Sequence, residues 1–189
     1  MKKDIILAGV GGQGILTIAT VLGHAALQRG WLLKQAEVHG MSQRGGDVQS
    51  HLRLSDKDIH SDLITMGDAD MILSVEPMES LRYLPYLASD GWIIANSKPF
   101  INIPNYPEVE LLYKSIRAVK NHLLFDADEI AKEVKAPRAM NIVVLGAAIK
   151  QLGFSVDEIG ESIKSIFVRK GEAIVDANLR ALQAGISHS

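Results

Sequence analysis

Apolar positions recur along this chain in two periods, and their alternation sets the expected fold. Asp4–Ala8 is a short apolar run closed by glycine, the pattern of a buried strand. From Ile15 to Leu27 the residues Leu16, Ala19, Leu22, Gly23 and Ala26 fall at helical spacing, and Gly30 closes the segment. Trp31–Val38 reads as a second strand, so strand, glycine turn, helix and strand make a βαβ unit. Asp47–Leu54 changes period: Val48, Leu52 and Leu54 share one face, Gln49, His51 and Arg53 the other. That alternation predicts a half-exposed strand, antiparallel and at a sheet edge.

Ala69–Val75 is another buried strand, ended by Glu76-Pro77, and Pro77 suits the first turn of a helix that Pro85 must break. Trp92–Asn96 follows Gly91 as a strand. Pro99, Pro104 and Pro107 mark an irregular connection. Glu108–Asn121 carries Val109, Leu112, Ile116 and Val119 in helical register, and Leu123–Phe125 is a short strand closed by Asp126. Helix then dominates: Asp126–Val134, an apolar Pro137–Leu152, a segment opened by the capping box Ser155-Val156-Asp157-Glu158, and Lys170–Ala184. Four or five strands alternating with helices predict a three-layer α/β/α sandwich on a mainly parallel sheet. The helical last third is expected to wrap the same sheet, as one domain over residues 1–189.

Composition narrows the chemistry. The chain has 189 residues, net charge −2 and no cysteine. Disulfides, thiolate zinc sites, cysteine nucleophiles and cysteine-held iron–sulfur clusters are therefore excluded. Twenty basic against 22 acidic residues argue against nucleic-acid binding that relies on net charge. No apolar stretch reaches the roughly 18 residues of a membrane span, and the first one is too short for a signal-peptide core. The cytoplasm is the expected compartment.

Two loops could carry function. Gly9, Gly11 and Gly14 satisfy G-x-G-x-x-G between a strand and a helix, with Gly12 and Gln13 inside the turn. Glycines let a ligand approach the backbone, and a helix N-terminus offers unpaired N–H groups and about half a positive charge. Glu37, ending the second strand, stands where a dinucleotide's ribose-binding acid belongs. A dinucleotide dehydrogenase is thus one reading, and a turn that merely packs closely is another. The second loop is Ser42-Gln43-Arg44-Gly45-Gly46, in which Arg44 can present a planar donor fork to a carboxylate, a phosphate or a partner's backbone, or can simply be solvated. Such loops would meet at the edge where open α/β sheets bind ligands. No metal-spaced histidine or carboxylate cluster and no nucleophile elbow appears, and the acidic pairs at Asp68/Asp70 and Asp126/Asp128/Glu129 read as caps and solvated groups.

Together these features resemble the small γ-type subunits of the 2-oxoacid:ferredoxin oxidoreductases, in their indolepyruvate branch. The resemblance rests on Gly9-Val10-Gly11-Gly12-Gln13-Gly14 and on Glu37-Val38-His39-Gly40-Met41-Ser42-Gln43-Arg44-Gly45-Gly46. It continues with Ala69-Asp70, then Glu76 and Glu79 before Arg82, Gly91 and Asn96, and finally Asp126–Ala131 with Asn141 and Gly146-Ala147. It implies a three-layer α/β/α fold and a part in oxidative decarboxylation of 2-oxoacids, aryl pyruvates in this branch, to acyl-coenzyme A. Electrons pass to ferredoxin. Thiamine diphosphate with magnesium and the iron–sulfur clusters would belong to a large α subunit, the expected partner, with no catalytic or metal-binding residue on this chain. The two glycine loops would face that subunit or help hold the phosphates of coenzyme A; a homodimer is an option for the isolated chain.

Overall fold

The structure, a computed structural model, describes residues 1–39 and 45–189. Six strands form one sheet in the order β2-β3-β1-β4-β5-β6. They are β1 (Lys2–Val10), β2 (Leu32–His39), β3 (Asp47–Ser55), β4 (Ala69–Ser74), β5 (Leu87–Asn96) and β6 (Asn121–Phe125). From β1 to β6 all neighbours are parallel. β3 is antiparallel to both β1 and β2.

The antiparallel strand is therefore internal, and β2 holds the edge. β1, α1 (Ile15–Gln28) and β2 still make a parallel crossover, but β3 is inserted between the two strands. The reason lies in side-chain polarity. β2 exposes Leu32, Gln35, Glu37 and Val38, as an edge tolerates, whereas β3 buries Val48, Leu52 and Leu54 with Ser50 and His51. Opposite β3 in register, fully buried Asp4 takes a two-pronged contact from Arg53: Nε to Oδ1 at 2.8 Å and Nη2 to Oδ2 at 3.0 Å.

Alternation along β1 divides the core. Ile5 and Leu7 face a large layer made of α1, α4 (Ala127–Glu133), α5 (Met140–Leu152), α6 (Val156–Phe167) and α7 (Glu172–Ile186). Ile6 and Ala8 face a thinner layer formed by α2 (Pro77–Arg82), α3 (Val109–Arg117) and the irregular residues 56–68, whose Ile64 is buried among Ile6, Ile72 and Ile93. Three layers and a mainly parallel sheet result, as the pattern predicts. α5 is buried along nearly its whole length. It can lie that close to α7 because Gly146 has no side chain: a Cβ there would fall 2.3 Å from the Leu182 carbonyl oxygen.

Helix starts follow local chemistry. Pro77 occupies the first turn of α2, which stops at Arg82 before a 3-10 turn at Leu84–Tyr86. Asp126 caps α4 by accepting from the Glu129 amide at 2.8 Å. The Ser155–Glu158 capping box is closed in both directions. The Glu158 carboxylate also receives the Arg29 guanidinium, which holds its pKa down at about 2.

Candidate functional site at the carboxyl edge of the sheet

β1 and β4 send their following helices to opposite faces of the sheet, α1 to one and α2 to the other. The glycine turn sits at that divergence, where open α/β sheets take ligands. Gln13 shapes it from within: its Oε1 accepts from the Val10 amide at 2.8 Å, and its own amide donates to the Val10 carbonyl at 3.1 Å. Gly9 is a packing requirement, since a Cβ there would lie 2.4 Å from a Val75 methyl. Gly14 is the N-cap of α1 in the left-handed region, with φ of 85°. Its carbonyl accepts from the Asn141 amide at 2.9 Å. No side chain caps α1, and its first turn has no acidic residue. Gly12 faces open space.

The second loop reaches this turn through its end. The Gly11 amide donates to the Gly46 carbonyl at 2.9 Å, so the two glycine segments lie side by side. Ser42, Gln43 and Arg44 lie outside the described residues. Behind Gly46, the Tyr83 hydroxyl donates to Asp47 Oδ2 at 3.2 Å, and burial pushes that phenol's pKa up. Glu79 is 2% exposed and pairs with Arg82 at 2.8 Å; burial raises its pKa despite that partner.

A third wall has no counterpart in the sequence reading. Gly12, Gln13, Gly14 and Thr17 line a cleft of about 470 Å³ whose far side is Lys135, Arg138, Lys170 and Asn178. None of these three cations has an acidic partner among the described residues. Lys135 is also the only described non-glycine residue with positive φ, at 56°. The tract Lys135-Ala136-Pro137-Arg138 is visibly basic in sequence, but nothing local announces that it meets the glycine turn.

The residues do not fit a cysteine-held cluster site. The chain has no cysteine, and no group of three or more metal-ligating side chains occurs among the described residues. The arrangement instead offers a concave, cationic surface with a helix N-terminus at its base, suited to a phosphate-bearing ligand.

Geometry also removes the further support that Glu37 gave the dinucleotide reading. Glu37 lies on β2, two strands from β1, so the inserted β3 moves it one strand spacing, roughly 5 Å, from where a ribose acid would stand. Its carboxylate accepts instead from the Gln35 amide at 2.6 Å.

Fold and site thus define an α/β protein that presents glycine loops and a cationic cleft at the carboxyl edge of its sheet. Comparison with known proteins gives the family. The family model for pyruvate ferredoxin/flavodoxin oxidoreductases matches residues 4–188, and the chain belongs to that family. It is 38% identical to the indolepyruvate oxidoreductase subunit IorB of Pyrococcus horikoshii, over 98% of this chain and 96% of that protein. It is 36% identical to the subunit of the same name from Thermococcus kodakarensis, over the same shares. Among solved structures, the pyruvate oxidoreductase subunit PORC of Thermotoga maritima superposes with a TM-score of 0.75 at 22% identity, covering 99% and 96% of the two chains. The 2-oxoglutarate:ferredoxin oxidoreductase of Magnetococcus marinus matches with a TM-score of 0.76 at 18% identity, covering 98% of this chain but 30% of that one. A dinucleotide dehydrogenase finds no support among these relatives.

Proposed function

We propose that this chain is the single-domain accessory subunit of an indolepyruvate-type 2-oxoacid:ferredoxin oxidoreductase. The reaction is oxidative decarboxylation of aryl pyruvates to acyl-coenzyme A, with electrons passed to ferredoxin. The carrying observation is end-to-end similarity to chains named as indolepyruvate oxidoreductase subunits, in a sequence that has no cysteine with which to hold a cluster. Thiamine diphosphate, magnesium and the clusters then belong to a large α partner, in the cytoplasm.

On this chain the working surface is the carboxyl edge. Gly11, Gly12, Gln13 and Gly14 form its first loop, Gly9 allows that loop to pack, and Gly45 and Gly46 stand beside it; the proposed contacts of Ser42, Gln43 and Arg44 fall outside the described residues. Lys135, Arg138 and Lys170 supply charge for an anion, for which the phosphates of coenzyme A are the natural occupant. α1 adds its uncapped amides.

Two experiments test the assignment. Co-expression with a large subunit should yield a brown, iron-containing complex. Coenzyme A should raise the melting temperature of that complex; at 100 times its dissociation constant a ligand stabilises by about 2.7 kcal/mol. Charge reversal at Arg138 and Lys170 should abolish the shift. A comparable shift with NAD at millimolar concentration, and none with coenzyme A, would return the dehydrogenase reading.

A further inference from the structure

Residues 99–107, between β5 and α3, contain no charged side chain and three prolines. Three of their hydrogen-bonding groups turn back onto the protein. The Phe100 amide donates to Glu76 Oε1 at 3.2 Å, and the Tyr106 hydroxyl donates to the same oxygen. Glu76 is fully buried, and its other oxygen caps α2 through the Glu79 amide at 2.9 Å. Between these anchors the Asn102 side-chain amide donates to the Gly45 carbonyl. The apolar side chains turn outward: Phe100 is 43% exposed, Ile101 69% and Ile103 37%.

A strap that spends its polar groups on the protein and offers apolar ones to water is arranged for a partner. Depletion of charge and enrichment in aromatic and aliphatic groups are the marks of an interface core. Prolines and three anchors hold the strap in shape, so docking costs little ordering entropy. Its position selects the occupant. Asn102 bonds Gly45, and Gly46 bonds Gly11, so the strap is continuous with the loops of the candidate site. Those loops are useful only where they meet the catalytic centre, which lies on another chain.

We propose that the 99–107 strap is the apolar surface by which this chain docks on its large catalytic subunit, with Ile101 at the centre of the contact. This rests on the subunit reading above. The test uses the co-expressed complex, with Kd for the large subunit measured for wild type, Ile101→Glu and Leu27→Glu. Leu27 is 58% exposed at the opposite end of the sheet and serves as control. Ile101→Glu should raise Kd at least tenfold while the isolated chain keeps its melting temperature, and Leu27→Glu should leave Kd unchanged. Wild-type affinity in Ile101→Glu would overturn the strap assignment alone. So would loss of a homodimer of the isolated chain with the large-subunit complex intact, because the strap would then bind a second copy. Failure of the wild type to bind any large subunit would overturn the subunit reading and the strap with it.

Discussion

Asn141 donates its side-chain amide to the Gly14 carbonyl at 2.9 Å, joining the first turn of α5 to the N-cap of α1 across 127 residues. The amide also fills the space beside Gly14, where a Cβ would lie 2.6 Å from its nitrogen. One side chain therefore both supports the glycine turn and forbids anything larger at its last position.

Two substitutions follow from that contact. Asn141→Ala removes a buried hydrogen bond, at a cost of about 1–3 kcal/mol. Gly14→Ala adds a clash to backbone strain at a positive φ. Combined, they should cost less than their sum, because the first makes room for the second. Thermal unfolding of the two single variants and the double variant measures the coupling; strict additivity would mean the two groups do not meet.

The α5–α7 crossing should be unforgiving. Gly146→Ala would place a methyl 2.3 Å from the Leu182 carbonyl oxygen and 3.0 Å from the Gly185 Cα, both backbone atoms. Overpacking of this kind costs about 1–3 kcal/mol, or roughly 2–12 °C of melting temperature for a chain this long. Differential scanning calorimetry reads the loss directly.

Acid should loosen residues 56–68. His51 is buried on β3, and its Nδ1 accepts from the Ile64 amide at 3.0 Å, so the proton sits on Nε2. Burial first, and then the Arg53 charge, lower its pKa below the usual 6.5. A neutral form favoured by folding contributes stability above the unfolded pKa. That contribution falls as pH drops from about 6.5 toward the folded value. The protection factor of the Ile64 amide, its exchange rate referred to the unstructured rate at each pH, should fall over that range, and His51→Gln should flatten the dependence.

Much of this fold is written locally. The glycine turn, Pro77, the Asp126 cap and the Ser155–Glu158 box act within a few residues, and each appears where its chemistry places it. Pairing of strands does not. Adjacency of β1 and β2 is the simplest expectation for a strand–helix–strand unit, and only the polarity of Lys34, Gln35 and Glu37 hinted at an edge. The same expected adjacency made Glu37 look like a ribose acid. Lys135, Arg138 and Lys170 were hidden for a related reason: they reach the glycine turn from segments more than a hundred residues later, the α4–α5 connection and the 3-10 turn at Val168–Lys170. Glu76, Asn96 and Asn141 belong to the resembling motifs, and each makes hydrogen bonds that join separate segments. Asn96, for instance, bonds the Val75 carbonyl, Asp128 and the Ala127 amide.

Division of labour between two chains is the central claim, and reduction of ferredoxin with indolepyruvate and coenzyme A measures it most directly. The assay compares this chain alone, the large subunit alone and the reconstituted pair. Turnover is expected only from the pair. Sustained oxidation by this chain alone, or an undiminished rate from the large subunit without it, would contradict that division.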